Sequence, residues 1–491
     1  MKKLITAFLS IIALLGSTAV SAQSYIGLNT SNHAGVIGAT IHPASIEDYP
    51  KKFDMVFLGV NLYGENNFGK VSRDRAFLNF NFSDLTGSLF RNDKSKYAIL
   101  DVEVTLPSFM FKTKNWGTIG FIPRVRTYAN ADNVSAAFSE TLADSFENSE
   151  LFNINYLNQH FDMTAMSWQE YGLTWAKTIK RNKHKRVTLG VTPKLLIGNG
   201  AAFTTFQADT LSNIDTGTID LAGFNIAYGY SGNFDGVADD GYKWKKGNKF
   251  NFGLDIGVEY THYHKTDYQP AFSKYLKLYR TNNNEKDIYK YKLSFSILDI
   301  GRIKYAHGSQ NAQASNLLNN VNAIDITTLK GTFGDPNALR DSLNSLLVLE
   351  DLTGSYTVGL PTSVQAGVDY HLRGGAFINA NLALNITALK GADYTTHELS
   401  NLTITPRWEN HWLGFHTPIY ANFKGTTNLG LGMRVGPVAL GISDILPFIS
   451  RKDVTSEGAY IVFKTYIRHK KVKSNVECGP GGTWNKKKNR K

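Results

Sequence analysis

The stretch Phe250-Asn251-Phe252-Gly253-Leu254-Asp255-Ile256-Gly257-Val258-Glu259-Tyr260 alternates at every step. Phe250, Phe252, Leu254, Ile256, Val258 and Tyr260 fall on one parity, and Asn251, Gly253, Asp255, Gly257 and Glu259 on the other. Side chains of a β-strand point to opposite faces at successive residues, so this pattern predicts a strand with one greasy and one polar, glycine-rich face. A tilted strand crosses a bilayer in roughly 9–11 residues, and this segment is long enough. The same split recurs elsewhere. Leu100, Val102, Val104 and Leu106 oppose Asp101, Glu103 and Thr105; Val187, Leu189, Val191, Leu195 and Ile197 oppose Thr188, Gly190, Thr192 and Lys194; Ile378, Ala380, Leu382, Leu384 and Ile386 oppose Asn379, Asn381, Asn385 and Thr387.

A water-soluble β-sandwich also alternates. Three features favour a closed barrel in a membrane: segments of crossing length, second faces of Gly, Thr and Asn mixed with charge, and aromatics near segment ends. The last are Tyr260 and Tyr263, Trp168 and Tyr171, Tyr289 and Tyr291, and Trp408 and Trp412, where an interfacial girdle would lie. A closed barrel and a helix are the only structures that satisfy the backbone in lipid. After Ala22 no apolar run approaches the roughly 20 residues a spanning helix needs.

Fifteen segments read as strands: 53–63, 97–112, 117–129, 164–180, 186–210, 217–230, 249–263, 288–305, 355–371, 375–388, 400–410, 413–423, 425–435, 437–446 and 458–470. Single-chain bacterial barrels have an even number, so one assignment is in error, or 76–83 is a further strand. The expected fold is all-β, an antiparallel transmembrane barrel of about 14 strands. Short connectors such as 180–185 and 373–375 read as tight turns. The stretches 64–96, 130–163, 264–287 and 306–354 read as loops. Two of these are expected to carry helix: 134–149, and 335–350, where Asp335 caps, Pro336 takes the first helical position and a leucine stripe follows.

The ends read differently. Lys2 and Lys3 precede an apolar run, Leu4–Leu15, and Val20-Ser21-Ala22 offers small residues for cleavage, so residues 1–22 read as an export leader cut after Ala22. The barrel then occupies about 51–470, and 471–491 is a basic tail expected to be disordered on the periplasmic side. Cys478, the single cysteine, excludes an internal disulfide framework. The net charge of +12 is a property of the ends: from Lys464 to Lys491 ten basic residues meet one Glu, and without leader and tail the body holds 41 basic against 40 acidic residues. That balance supports no nucleic-acid-binding face. The tail suits anionic lipid or an acidic partner.

The chain carries no phosphate-cradling glycine loop and no nucleophile elbow. His262 and His264 share a strand face but continue the lipid parity, and the spacing of His411 and His416 fits no zinc motif. Neither pair is expected to hold metal, and no catalytic residue, cofactor or enzymatic activity is expected. The polar parity is more informative. It aims Arg124, Arg126, Lys194, Asp255, Glu259, Asp369, Arg407 and Arg434 into a lumen. Two readings follow, a mixed-charge solute path or an ion-paired network holding the wall.

Several strings resemble a family of functionally uncharacterised outer-membrane barrels common in Bacteroidetes. That family is similar to barrels of the long-chain fatty-acid transporter type and to barrels associated with type IX secretion. The matching residues are His42-Pro43-Ala44-Ser45-Ile46 with Phe53-Asp54; Leu360-Pro361-Thr362-Ser363 leading to Gly367-Val368-Asp369-Tyr370; and Thr405-Pro406-Arg407-Trp408 followed by Gly430-Leu431-Gly432-Met433-Arg434-Val435-Gly436-Pro437. The likeness covers about 24–470, and His42 departs from an Asn usual before Pro-Ala. It implies the outer membrane of a Gram-negative envelope and an N-terminal segment, 23–50, tucked into the barrel as a hatch. The functional expectation is transport of a small or amphipathic solute, in contact with outer-membrane lipid. The alternative is a non-conducting scaffold for an export or cell-envelope complex.

Overall fold

The protein is described by a computed structural model over residues 25–69, 95–136, 138–139, 149–182, 184–235, 250–263, 289–325, 336–387, 391–450 and 454–467. The leader and its cleavage point, the segment 76–83, most of 134–149, His264, Cys478 and the basic tail lie outside the described residues.

In chain order the strands are β1 (Phe53–Asn66), β2 (Lys96–Thr105), β3 (Ser108–Lys112), β4 (Thr118–Val134), β5 (Asn155–Arg181), β6 (Lys185–Asp215), β7 (Thr218–Tyr230), β8 (Phe250–Tyr263), β9 (Tyr289–Ala306), β10 (Ala312–Asp325) and β11 (Glu350–Asp351). They continue with β12 (Ser355–Gly359), β13 (Ser363–Arg373), β14 (Ala376–Asn385), β15 (Tyr394–Thr395), β16 (Asn401–Glu409), β17 (Leu413–His416), β18 (Ile419–Asn422), β19 (Thr427–Leu429), β20 (Leu431–Val435), β21 (Val438–Ile442) and β22 (Ser456–Ile467). Helix α1 (Pro336–Leu346) starts at the proline, and α2 (Leu446–Ser450) is a single turn. β1 pairs antiparallel with β22, from Phe53 opposite Ile467 to Glu65 opposite Ser456, and this closes the wall.

The wall is a closed antiparallel barrel of 14 staves. Several staves are two strand segments in one line. β2 and β3 both pair with β1 and β4, interrupted at Leu106-Pro107. β12 and β13 both pair with β9 around Pro361. The stave β17–β18 breaks at Pro418 opposite Gly430 of the stave β19–β20, and the Gly430 N–H donates to the Pro418 carbonyl at 2.7 Å. Proline removes a ladder donor, so each break falls where the chain has no N–H to give.

The odd segment among the fifteen is 217–230. It is a strand, β7, but not a stave. The first part of β6 (185–197) pairs with β8 in the wall, and the second (202–215) pairs with β7, which pairs with β10. β6 has 31 residues, about 100 Å of strand at about 3.3 Å per residue, far more than a crossing needs. Alternation persists past the membrane because this flap buries a core of its own, with Phe138, Phe206, Leu211, Leu221 and Phe224. Two expected loops shrink accordingly. β4 and β5 take much of 130–163, and 306–354 contains β10, whose Asn-rich sequence Ala312–Asp325 carries little strand propensity.

The distribution across the wall is inverted relative to a soluble protein. Phe252 is 75 % exposed, and Leu173, Leu293, Phe295 and Ile404 also face out, whereas Glu103, Glu170 and Lys194 are buried. Tyr260, Tyr291, Trp408 and Trp412 lie on the outer surface near the end of the barrel where the short turns are. Trp168, Tyr263 and Tyr289, expected in the same girdle, are instead inside; Trp168 shares the parity of Glu170, and the Arg126 guanidinium sits 5.0 Å from its ring. Placing arginine at Ile256, on the greasy face of β8, is expected to destabilise the barrel by about 2–4 kcal/mol, the cost of a cation near the bilayer midplane. Equilibrium unfolding from lipid vesicles measures it.

Candidate functional site

Inward-facing charges on adjacent staves come within contact distance because cross-strand neighbours are about 5 Å apart. On β4, Arg124 donates to Glu170 of β5 through Nε (2.7 Å) and to Glu103 of β2 through Nη1 (2.9 Å). Arg126 donates to Asp299 of β9 (2.8 Å) and lies 3.4 Å from Glu170. Lys194 reaches Asp299 (2.6 Å) and Asp255 (2.8 Å). Asp299 adopts a left-handed backbone (φ 56°), its N–H bonded to Asp255 Oδ1 (2.7 Å) and its carbonyl to the Thr362 hydroxyl (2.6 Å). It is a β-bulge: two residues of β9, 298 and 299, stand against one of β8.

A second cluster is formed by Arg407, which grips Asp369 with two parallel bonds (2.8 and 2.6 Å) and lies 3.3 Å from Glu409. Glu259 accepts the Thr261 hydroxyl (3.2 Å), and Arg186 (3.8 Å) and His42 (3.9 Å) are the ionisable groups beside it. Arg434 donates to the Asn410 carbonyl (2.6 Å), at the turn between β16 and β17. All eight residues selected from the sequence are thus buried inside the wall. Arg124, Arg126, Lys194 and Asp255 share one network, Asp369 and Arg407 another, and Glu259 and Arg434 stand apart.

The lumen is filled by residues 25–50, which run through two short 3₁₀ turns, Gly35–Thr40 and Pro43–Glu47. Tyr25, Leu28, Val36, Ile37, Ile46 and Tyr49 pack on inward Val56, Met110, Ile122, Tyr420, Tyr460 and Val462. Polar contacts fix the segment at several heights. The Tyr25 N–H donates to Asn61 (2.9 Å), and Asn32 Nδ2 and the Ser31 hydroxyl bond Glu409. Asp54 accepts the Val36 N–H (3.1 Å) and the Tyr49 hydroxyl (2.7 Å), and Lys464 holds the His33 and Ala34 carbonyls (2.8 and 2.9 Å). Asp48 pairs with Arg186 and with Lys292 (2.9 Å).

The seat itself is made of glycine. Gly190 of β6 and Gly257 of β8 are cross-strand partners. A Cβ on Gly190 would overlap the backbone of Pro43 and Ala44, and one on Gly257 would come within 3.0 Å of His42 Nδ1. The His42-Pro43-Ala44 turn therefore lies flat in a slot that only this glycine pair leaves open.

Among the described residues, two chambers of mixed polarity lie beside this segment, of about 80 Å³ and about 90 Å³. The first is lined by His42, Ser45, Glu259, Lys292 and Asp369, and the second by Asp101, Arg126, Tyr128, Asp299 and Glu398. They share Asn29, Thr30, Ile41, Gln365, Asn379 and Asn381.

His262 points outward and stacks on Tyr291, with ring centroids 5.0 Å apart. His411 is exposed, whereas His416 is inside, 2.5 Å from the Tyr460 hydroxyl, so this pair does not converge. Among the described residues no group of His, Cys, Asp and Glu is arranged to hold a metal ion.

Sequence reading passed over Glu170, Asp299, Lys292, Glu409, Asp54 and Lys464. Glu170 was findable, since it opposes outward Tyr171, Leu173 and Trp175. Asp299 was not: inward residues of β9 are even-numbered from Lys292 to Leu298 and odd-numbered from Asp299 onward, because the bulge reverses the parity.

At the opposite end from the short turns, His397 straps the 391–400 loop to β4. Its N–H donates to Asn130 (3.0 Å), its carbonyl accepts from Asn130 (2.9 Å), and Nε2 lies 2.7 Å from Asp132. Burial alone would lower its pKa, but the hydrogen bond and charge of Asp132 outweigh that and raise it above the ordinary 6.5. A raised folded pKa gives stability that is present at low pH and lost as pH rises through that value. Limited proteolysis of the strap is therefore expected to quicken from pH 6 to pH 9, and an Asp132→Asn variant to lose this pH dependence.

A protein-family model described as a family of unknown function, DUF5723, matches residues 43–442. No curated protein matches the chain. Among solved structures, the chain is similar to a deletion mutant of the TodX monoaromatic hydrocarbon channel (10 % identity, 91 % of this chain and 97 % of that one, TM-score 0.41). It is also similar to the toluene transporter TbuX of Ralstonia pickettii (8 %, 92 % and 96 %, 0.37) and to a FadL homologue of Pseudomonas aeruginosa (9 %, 92 % and 99 %, 0.39).

Proposed function

Because this chain belongs to the DUF5723 family of unknown function, its role has to be argued from its own lumen, and we propose a plugged outer-membrane channel that passes a small solute through the barrel. The greasy outer face and the girdle at the turn end support a membrane location, with the short turns towards the periplasm. One observation carries the reading: the two chambers meet at Gln365, Asn379 and Asn381 of the wall and at Asn29, Thr30 and Ile41 of the segment 25–50, which stands between them and a continuous lumen. That segment is held by separable polar contacts and a glycine seat, so displacing it opens a path lined by Asn, Gln, Ser and paired charge. The ion-paired network is then wall architecture bordering the path, and both readings of the lumen charges apply to different parts of it. Passage needs no chemistry from the chain. Purified protein in liposomes should admit small solutes faster than protein-free liposomes do. A barrel that admits none would sink the proposal.

The flap favours a second reading. β5, β6, β7 and β10 extend well past the wall as a sheet with its own core, which suits a scaffold for an export or cell-envelope complex. Removing 306–354 should then release a stoichiometric partner from cross-linked envelopes while leaving the barrel in the membrane. Recovery of the barrel alone from the intact chain would count against it.

A further inference from the structure

We infer that the chamber beneath the His42 turn is a binding site for a small uncharged polyhydroxyl compound, a polyol or monosaccharide. The inference rests on the transport reading only in naming what would pass.

Besides Asp48 Oδ1, which lies against Arg186, four polar atoms of residues that line this chamber are buried and have no hydrogen-bond partner in the structure: both ring nitrogens of His42, the Ser45 hydroxyl and the Asn379 carbonyl oxygen. His42 is 7 % exposed and Asn379 6 %. Buried polar groups are almost always paired, so four such atoms on three residues that line one cavity of about 80 Å³ point to a ligand that completes the set. His42 and Ser45 come from the luminal segment and Asn379 from the wall, so a molecule bonded to all three bridges plug and barrel.

Their chemistry selects the ligand class. A neutral imidazole offers one donor and one acceptor, a hydroxyl offers both, and an amide oxygen only accepts. Groups that both donate and accept satisfy this set, and hydroxyls do so without charge. The ionic positions beside the chamber are already matched: Asp48 by Lys292 and Arg186, Glu259 by Arg186 (3.8 Å), and Asp369 by Arg407, three carboxylates against three cations. No unbalanced charge is left to select an anion or a cation. A hydrocarbon fails for the opposite reason, since it would leave the four atoms without partners, the situation that gives polar sites their strongest discrimination.

Saturation-transfer NMR on the purified full-length chain in micelles, with glycerol and xylose as probes and gluconate and toluene as comparisons, tests the site. Saturable binding of glycerol or xylose is expected, weakened about tenfold by Asn379→Leu and by His42→Phe, the loss anticipated for a buried hydrogen bond. Heat-modifiable migration confirms that each variant is a folded barrel, and Ser45→Ala replaces either one that is not. The inference is overturned if neither polyhydroxyl probe binds, if the variants bind as well as the parent, or if gluconate or toluene binds in preference. Liposome flux separates the two readings. Variant-sensitive binding without flux defeats the transport reading and upholds the site, whereas flux with no saturable binding does the reverse.

Discussion

Gly190→Leu is expected to turn a closed barrel into an open one. The wall should tolerate the change, because leucine suits a strand better than glycine does and the residue lies within the regular pairing of β6 with β8. The luminal segment should not. The first atom of the new side chain would occupy the backbone of Pro43 and Ala44, and backbone cannot step aside as a flexible side chain can. Relief requires the His42-Pro43-Ala44 turn to lift out of its slot, which pulls Asp48 away from Arg186 and Lys292 and brings the two chambers into one passage. Planar-bilayer conductance should rise from mostly closed to mostly open, and protease should cut within 25–50 while the wall resists. Gly257→Ala, whose Cβ would meet the imidazole ring of His42 rather than backbone, should open the barrel less. Unchanged conductance in Gly190→Leu would mean that the slot is not what holds the segment.

The second large effect is expected at Glu170. Its carboxylate lies among Arg124, Arg126 and Lys194 and accepts the Trp168 indole N–H at 3.2 Å. Replacing one partner of a buried charge cluster leaves the others uncompensated in a place that water does not reach, and such changes cost about 3–5 kcal/mol. Glu170→Gln keeps the shape and removes the charge, so urea unfolding followed by tryptophan fluorescence should show a loss in that range. Arg124→Met in the same chain should restore part of it, because the two residues are coupled. A loss below about 1 kcal/mol, the worth of an exposed pair, would show that the cluster is well solvated and the lumen wetter than its packing implies.

What could be read in advance follows from the physics of each feature. Parity is local, so two faces of a strand are visible in eleven residues, and the inward set from Arg124 to Arg434 follows from it. Breaks in parity are not local. The bulge at Asp299 depends on Asp255 and Thr362, which are 44 and 63 residues away, and no window along β9 contains them. β7 alternates in two halves, Ile219 and Leu221 on one parity and Phe224, Ile226 and Tyr228 on the other, and only the length of β6 reveals that it pairs beyond the wall. Residues 25–50 have neither strand nor helix period. Their place inside the barrel is encoded across the lumen, in Gly190, Gly257, Asp54 and Glu409, and only the family likeness of His42-Pro43-Ala44-Ser45 hinted at it.

The decisive measurement is a pair of single-channel recordings, from the chain with residues 25–50 in place and from a chain lacking them, each first shown to be a folded barrel. Long closed periods with brief openings are expected from the first, and steady conductance from the shortened one. Equal conductance from the two, whether both shut or both open, would contradict the claim that this segment is the seal.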